Sequence, residues 1–171
     1  MDLVTLRNAE PSDFNAIVAL NEAEVQHTSA MGRARLHELD DLACYHKVAC
    51  VDGTVAAFLL AMRHDAAYAN DNFGWFAARL PAFVYVDRIV VSADFARLRL
   101  GTLLYIDLFE FARANGLPNV TCEYNVIPAN EPSRRFHEKF GFKELGTQWL
   151  ANGSKQVSLQ AAVTGATARS P

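Results

Sequence analysis

Apolar and polar positions along this chain change period several times, and each change marks an element. Residues 3–7 alternate, as a short strand does. Pro11-Ser12-Asp13 opens a helix, because Phe14, Ile17, Val18 and Leu20 then recur at helical spacing; it is expected to run to about Val25. Leu36, Leu39 and Leu42 make one stripe and predict a second helix over Arg33–Leu42. Two apolar runs, 47–51 and 54–63, are joined by Asp52-Gly53, a pair that accepts the positive φ of a tight hairpin turn.

Residues 64–82 show no period and predict an irregular segment in which Tyr68, Phe73, Trp75 and Phe76 stand among Asn, Asp and Gly. Those aromatics are either core or a lid over a substrate, since long loops are often functional. The β-branched run 83–92 predicts the longest strand. A helix is expected over 101–115, with Leu104, Leu108, Phe111 and Ala112 on one side and Gly116 ending it. A strand over 119–125, a helix over 130–140 closed by Gly141, and a hairpin of 142–150 with 155–163 about Asn152-Gly153 complete the pattern. The last eight residues are small and polar and predict a disordered tail. The order β-α-α-β-β-β-α-β-α-β-β describes a mixed α/β sheet, with strand 83–92, helix 101–115 and strand 119–125 forming a right-handed crossover.

Composition narrows the class. A chain of 171 residues is the usual size of one domain, so a single domain over 1–163 is expected, with a core that needs no staples. Sixteen basic and nineteen acidic residues give a net charge of −3, which is no electrostatic footprint for a nucleic acid. Cys44, Cys50 and Cys122 are odd in number and lack C-x-x-C spacing, so they read as reduced, packed thiols. The start lacks a basic region followed by an apolar stretch, and no apolar run nears the roughly 20 residues of a membrane span. Cytoplasmic location is the default expectation.

Chemistry concentrates between Asp87 and Phe142. A strand feeding a helix N-terminus presents backbone N–H groups and positive potential, which suits a pyrophosphate. Arg97 and Arg99 add charge beside those amides, unless they are simply a solvated pair. Here the chain resembles the GNAT N-acetyltransferase superfamily, whose acyl-CoA loop reads R/Q-x-x-G-x-G/A. The frame in this sequence is Ala96-Arg97-Leu98-Arg99-Leu100-Gly101: the last glycine is kept, Ala96 stands for Arg or Gln, and Arg99 stands for the first glycine. Either Arg99 crowds the backbone's approach to phosphate, or its guanidinium supplies the charge that Ala96 lacks.

The second match is fuller. Residues 130–142, Asn-Glu-Pro-Ser-Arg-Arg-Phe-His-Glu-Lys-Phe-Gly-Phe, resemble the family's N-x-x-(A/S)-x-x-(F/L)-Y-x-x-x-G-F helix, with His137 in the Tyr position. The resemblance is specific over about 87–142, roughly a third of the chain. It implies a GNAT-like acyl-CoA N-acyltransferase fold, a mixed sheet of about seven strands with helices on both faces. It implies acetyl-CoA as co-substrate: the backbone of Ile89, Val90 and Val91 would bind pantetheine as an added strand. A bulge there would splay that strand from 119–125, with the thioester in the gap. The loop residues Arg97, Leu98, Arg99, Leu100, Gly101 and Thr102 would hold the pyrophosphate, and Asn130 and Ser133 the pantetheine arm. No metal is implied.

Acetyl transfer to an amine needs a proton acceptor, because an alkylammonium with a pKa of about 10.4 is not nucleophilic. It also needs a donor to the oxyanion, which a strand N–H can supply, and a proton for the leaving thiolate. Glu123, on the strand before the motif helix, is the candidate base, acting through water; His137 is the candidate acid, since imidazolium with a pKa near 6.5 can protonate a thiolate. The bland alternatives are an exposed strand carboxylate and a packed helix histidine. Asn130 also suits the helix N-cap, and Gly101 can serve helix–strand packing alone. Asp87 would ion-pair with Arg63 or Arg88, or order water for the amine. The expected activity is direct transfer of acetyl to a primary amine, of a small molecule or of a protein N-terminus or lysine. The alternative is a catalytically weak or inactive acyl-CoA-sensing module. Expected partners are acetyl-CoA and the amine, with no nucleic acid and no membrane, and with room for a homodimer.

Overall fold

The computed structural model describes residues 1–25 and 28–166. Its strands β1 (Val4–Asn8), β2 (Tyr45–Val51), β3 (Thr54–Arg63), β4 (Val84–Val91), β5 (Asn119–Ile127), β6 (Lys143–Leu150) and β7 (Lys155–Val163) form a seven-stranded mixed sheet in the order β1-β2-β3-β4-β5-β7-β6. The helices are α1 (Phe14–Ala23), α2 (Arg33–Leu42), α3 (Asp71–Ala77), α4 (Leu100–Ala114) and α5 (Glu131–Glu138). None of the described helices is long and apolar enough to cross a membrane.

The chain groups into two compact units. The first combines Met1–Met62 with Val86–Glu110. Here β2 and β3 pair antiparallel, closing with Val51 opposite Thr54, and Asp52 and Gly53 take φ of 49° and 83°. This is the left-handed pair that the Asp-Gly signal requires. Its core holds Phe14 and Ile17 of α1, Leu36 and Leu39 of α2, and Val48, Phe58 and Leu60 of the hairpin, all fully buried or nearly so.

The second unit combines Arg63–Tyr85 with Phe111–Pro171. Here β4 begins parallel to β5, with Val84 opposite Val120 and Tyr85 opposite Thr121. β7 runs antiparallel to both β5 and β6. The segment 64–82 is not irregular throughout, since α3 lies inside it. Asn70 caps that helix by accepting a hydrogen bond from the Phe73 N–H at 3.0 Å. Of the aromatics placed between core and lid, Tyr68, Phe73 and Phe76 are buried as core, while Trp75 is half-buried. Of the tail expected over 164–171, residues 167–171 lie outside the described residues. Thr164, expected to be disordered, is buried, and its hydroxyl donates to the Leu117 carbonyl at 2.6 Å.

Candidate active site

In the first unit, β4 leads through a 3-10 turn, Ala93–Leu98, into α4. Burial alternates along the strand: Val90 is buried, and Ile89 and Val91 are half-exposed. Leu100 and Gly101 are buried at the start of α4, where the first amides of a helix lack intrahelical carbonyl partners. Arg99, immediately before them, has φ 54° and ψ 38°. It therefore occupies the left-handed conformation that favours glycine, and its side chain is exposed. Arg97 ion-pairs with Asp2 at 2.8 Å, both groups being solvated. Leu98 and Thr102 are half-exposed on either side of the helix start. A 15-residue helix N-terminus flanked by two guanidinium groups fits a diphosphate.

Asp87 pairs with Arg88 at 2.7 Å, and both side chains are buried. Arg63 instead meets Asp65 at 3.4 Å in solvent. The Arg88 guanidinium also donates to Asn21 Oδ1, to the Ser29 carbonyl and to Ser29 Oγ, at 3.0–3.1 Å. This network ties α1 and the segment after it to β4. It gives Asp87 a structural partner.

In the second unit, β5 carries Glu123 half-exposed. The Tyr85 hydroxyl donates to its two carboxylate oxygens, at 2.9 and 2.8 Å. Tyr85 is fully buried, with the rings of Tyr68, Phe73 and Phe76 at 6.4, 5.7 and 6.1 Å. After β5, the Asn130 side chain accepts the Ser133 N–H at 3.3 Å and so caps α5. The cap uses the amide oxygen, leaving the amide nitrogen of Asn130 a role compatible with a pantetheine donor.

His137 is buried on α5, with the rings of Tyr124, Phe136 and Phe142 at 5.7, 5.3 and 5.2 Å. Its Nδ1 lies 2.7 Å from the Ser133 carbonyl, which can only accept, so Nδ1 carries the ring hydrogen. Ser133 Oγ is 3.2 Å from the same nitrogen. Burial pushes the His137 pKa down to about 4, against a smaller upward pull from the Ser133 carbonyl. The imidazolium expected as acid is thus disfavoured at neutral pH, and the one hydrogen of the neutral ring is already committed. The physical reason is that an aromatic helix–strand seam desolvates the ring.

Two tyrosines escape sequence reasoning. Tyr85 contacts Glu123 only because β4 pairs parallel with β5 in a register that places Tyr85 opposite Thr121. Tyr124 is half-buried beside His137, and burial raises the pKa of its phenol, which keeps its proton at neutral pH. No pattern in a single sequence reports either register.

The acetyltransferase (GNAT) family model matches residues 6–142. The chain belongs to this family. The GNAT fold is also shared with solved structures of low sequence identity. Ard1 from Thermoplasma volcanium superposes with a TM-score of 0.76 at 17% identity, over 94% of this chain and 97% of that one. The ribosomal-protein-S18-alanine N-acetyltransferase from Escherichia coli gives 0.73 at 15% identity over 96% of each chain. The structure of yncA from Salmonella typhimurium with its cofactor acetyl-CoA gives 0.73 at 18% identity, over 99% of this chain and 98% of that one. Among curated proteins no sequence matches the chain. The family model ends at Phe142, so it covers both motifs, and the final hairpin lies beyond it.

Proposed function

We propose that this GNAT protein transfers an acetyl group from acetyl-CoA to a primary amine by direct attack. The observation that carries this reading is the Glu123 carboxylate, half-exposed on β5 and gripped by Tyr85, in a chain of an acetyltransferase family. Acetyl-CoA, when bound, supplies an activated acyl thioester. In the first unit, the start of α4 with Arg97 and Arg99 takes the diphosphate, and the backbone of Ile89–Val91 takes the pantetheine amides. In the second unit, Glu123 on β5 accepts the proton that the ammonium must lose. The acceptor class is a primary amine. One neighbour of the same fold is named for the alanine of a ribosomal protein, which keeps a protein N-terminus in that class beside small molecules.

His137 keeps a second reading in view. Its desolvated neutral ring has its one proton committed to the Ser133 carbonyl, which favours a module that binds acyl-CoA and turns over slowly. Calorimetric titration with acetyl-CoA tests what the two readings share. Saturable binding with affinity better than millimolar is expected, and absence of heat at millimolar ligand overturns both.

A further inference from the structure

The contact between Tyr85 and Glu123 is more specific than a buried hydroxyl needs. A tyrosine with no exposed surface must find an acceptor, and one carbonyl would satisfy it. Instead the hydroxyl faces both oxygens of one carboxylate at nearly equal distances, 2.9 and 2.8 Å. Its single hydrogen therefore lies between the two oxygens, an arrangement in which the hydroxyl donates and the carboxylate accepts. The ring cannot swing away. Phe73 and Tyr68 stack on each other at 5.5 Å, and Phe73 and Tyr85 meet edge to face at 5.7 Å. The Asn70 cap fixes the start of the helix that carries Phe73 and Phe76. Glu123 is half-exposed, and its long side chain has three torsions to be fixed for its carboxylate to be aimed.

We infer that Tyr85 is a positioning residue for acetyl transfer, one that aims the Glu123 carboxylate and favours its ionised form. The inference rests on the reading of Glu123 as the base. It gives α3 a task in that chemistry: the segment that looked like a loop carries the aromatic wall that holds Tyr85 still. In the proposed step the amine nitrogen bonds to the acetyl carbon and the C–S bond breaks; Glu123 takes the proton released by the amine, CoA leaves as a thiolate that takes its proton from solvent, and Tyr85 donates a hydrogen bond without giving up its proton. A hydrogen bond to the charged form of an acid lowers its pKa, so loss of the hydroxyl raises the pKa of Glu123.

The test is the Tyr85→Phe variant, which keeps the ring in its aromatic pocket and removes only the oxygen. The acid limb of the kcat/KM profile is expected to move up by about one pH unit, with roughly a tenfold loss below the limb. The carboxyl carbon of Glu123, followed by NMR in the protein without substrate, should titrate upward by the same amount. Replacing Tyr85 with 3-fluorotyrosine, a stronger donor of nearly the same shape, should move both down and guards against a folding defect in the first variant. Glu123→Gln separates the inference from its premise. If that variant turns over normally, Glu123 is not the base, and the inference falls with the premise. If Glu123→Gln is inactive yet neither replacement of Tyr85 moves the limb or the carboxyl titration, the premise stands and the positioning role is overturned.

Discussion

Burial holds His137 neutral, and that has a measurable consequence for the protein's pH response. Its folded pKa is near 4, while the unfolded chain should titrate near 6.5. Between those values the unfolded state binds more protons than the folded one, so stability rises with pH across the window. The contribution is complete above about pH 6.5, is lost as pH falls through the window, and is flat below about pH 4. Its size is on the order of 3 kcal/mol. Equilibrium denaturation at pH 7.5 and pH 4.5 should therefore show a stability difference that shrinks by that order in His137→Phe. An undiminished difference would place the titrating group elsewhere. The sequence showed that a histidine stands where the family has tyrosine. It could not show that Tyr124, Phe136 and Phe142 enclose the ring, because enclosure depends on how α5 seats against β5 and on Phe142, which leads into β6.

At the scale of elements, the turn into α4 carries a conflict between conformation and charge. Arg99 takes the left-handed conformation at φ 54°, which disfavours any residue with a Cβ by about 1 kcal/mol. The same residue brings an exposed guanidinium to a helix start that suits phosphate. Arg99→Gly should thus be more stable by about 0.5–1 kcal/mol in denaturant titration, and should bind acetyl-CoA about five- to tenfold more weakly. Unchanged affinity would remove Arg99 from the site. Beside the two roles left open by the sequence, crowding and charge supply, the turn geometry adds that Arg99 takes a glycine-like backbone conformation despite its side chain.

Most elements were legible because their signals are local. Asp52-Gly53 set one hairpin, and the Leu36/Leu39/Leu42 stripe set α2 with the bounds the structure shows. α3 was not legible, since it spans only Asp71–Ala77 and contains Gly74, and its stability comes from burying Phe73 and Phe76 rather than from propensity. Strand ends drifted by one or two residues, as at β5, which continues to Ile127.

At the scale of the whole molecule, the family was readable from two segments, and the structure adds the sheet that carries them. About seven strands were expected and seven are present among the described residues, in an order no local signal encodes. The candidate chemistry was proposed from residue types alone: a carboxylate on the strand before the motif helix, and arginines beside a helix start. The partners of those residues were not readable, because Tyr85 reaches Glu123 across 38 positions of sequence.

The central claim is acetyl transfer with Glu123 as base, and release of free CoA thiol from acetyl-CoA across a panel of primary amines tests it most directly. The expected result is amine-dependent thiol release, matched by acetylated amine in the mass spectrum and reduced about 10²- to 10⁴-fold in Glu123→Gln. Acetyl-CoA binding without amine-dependent thiol release, or full release by Glu123→Gln, would contradict it.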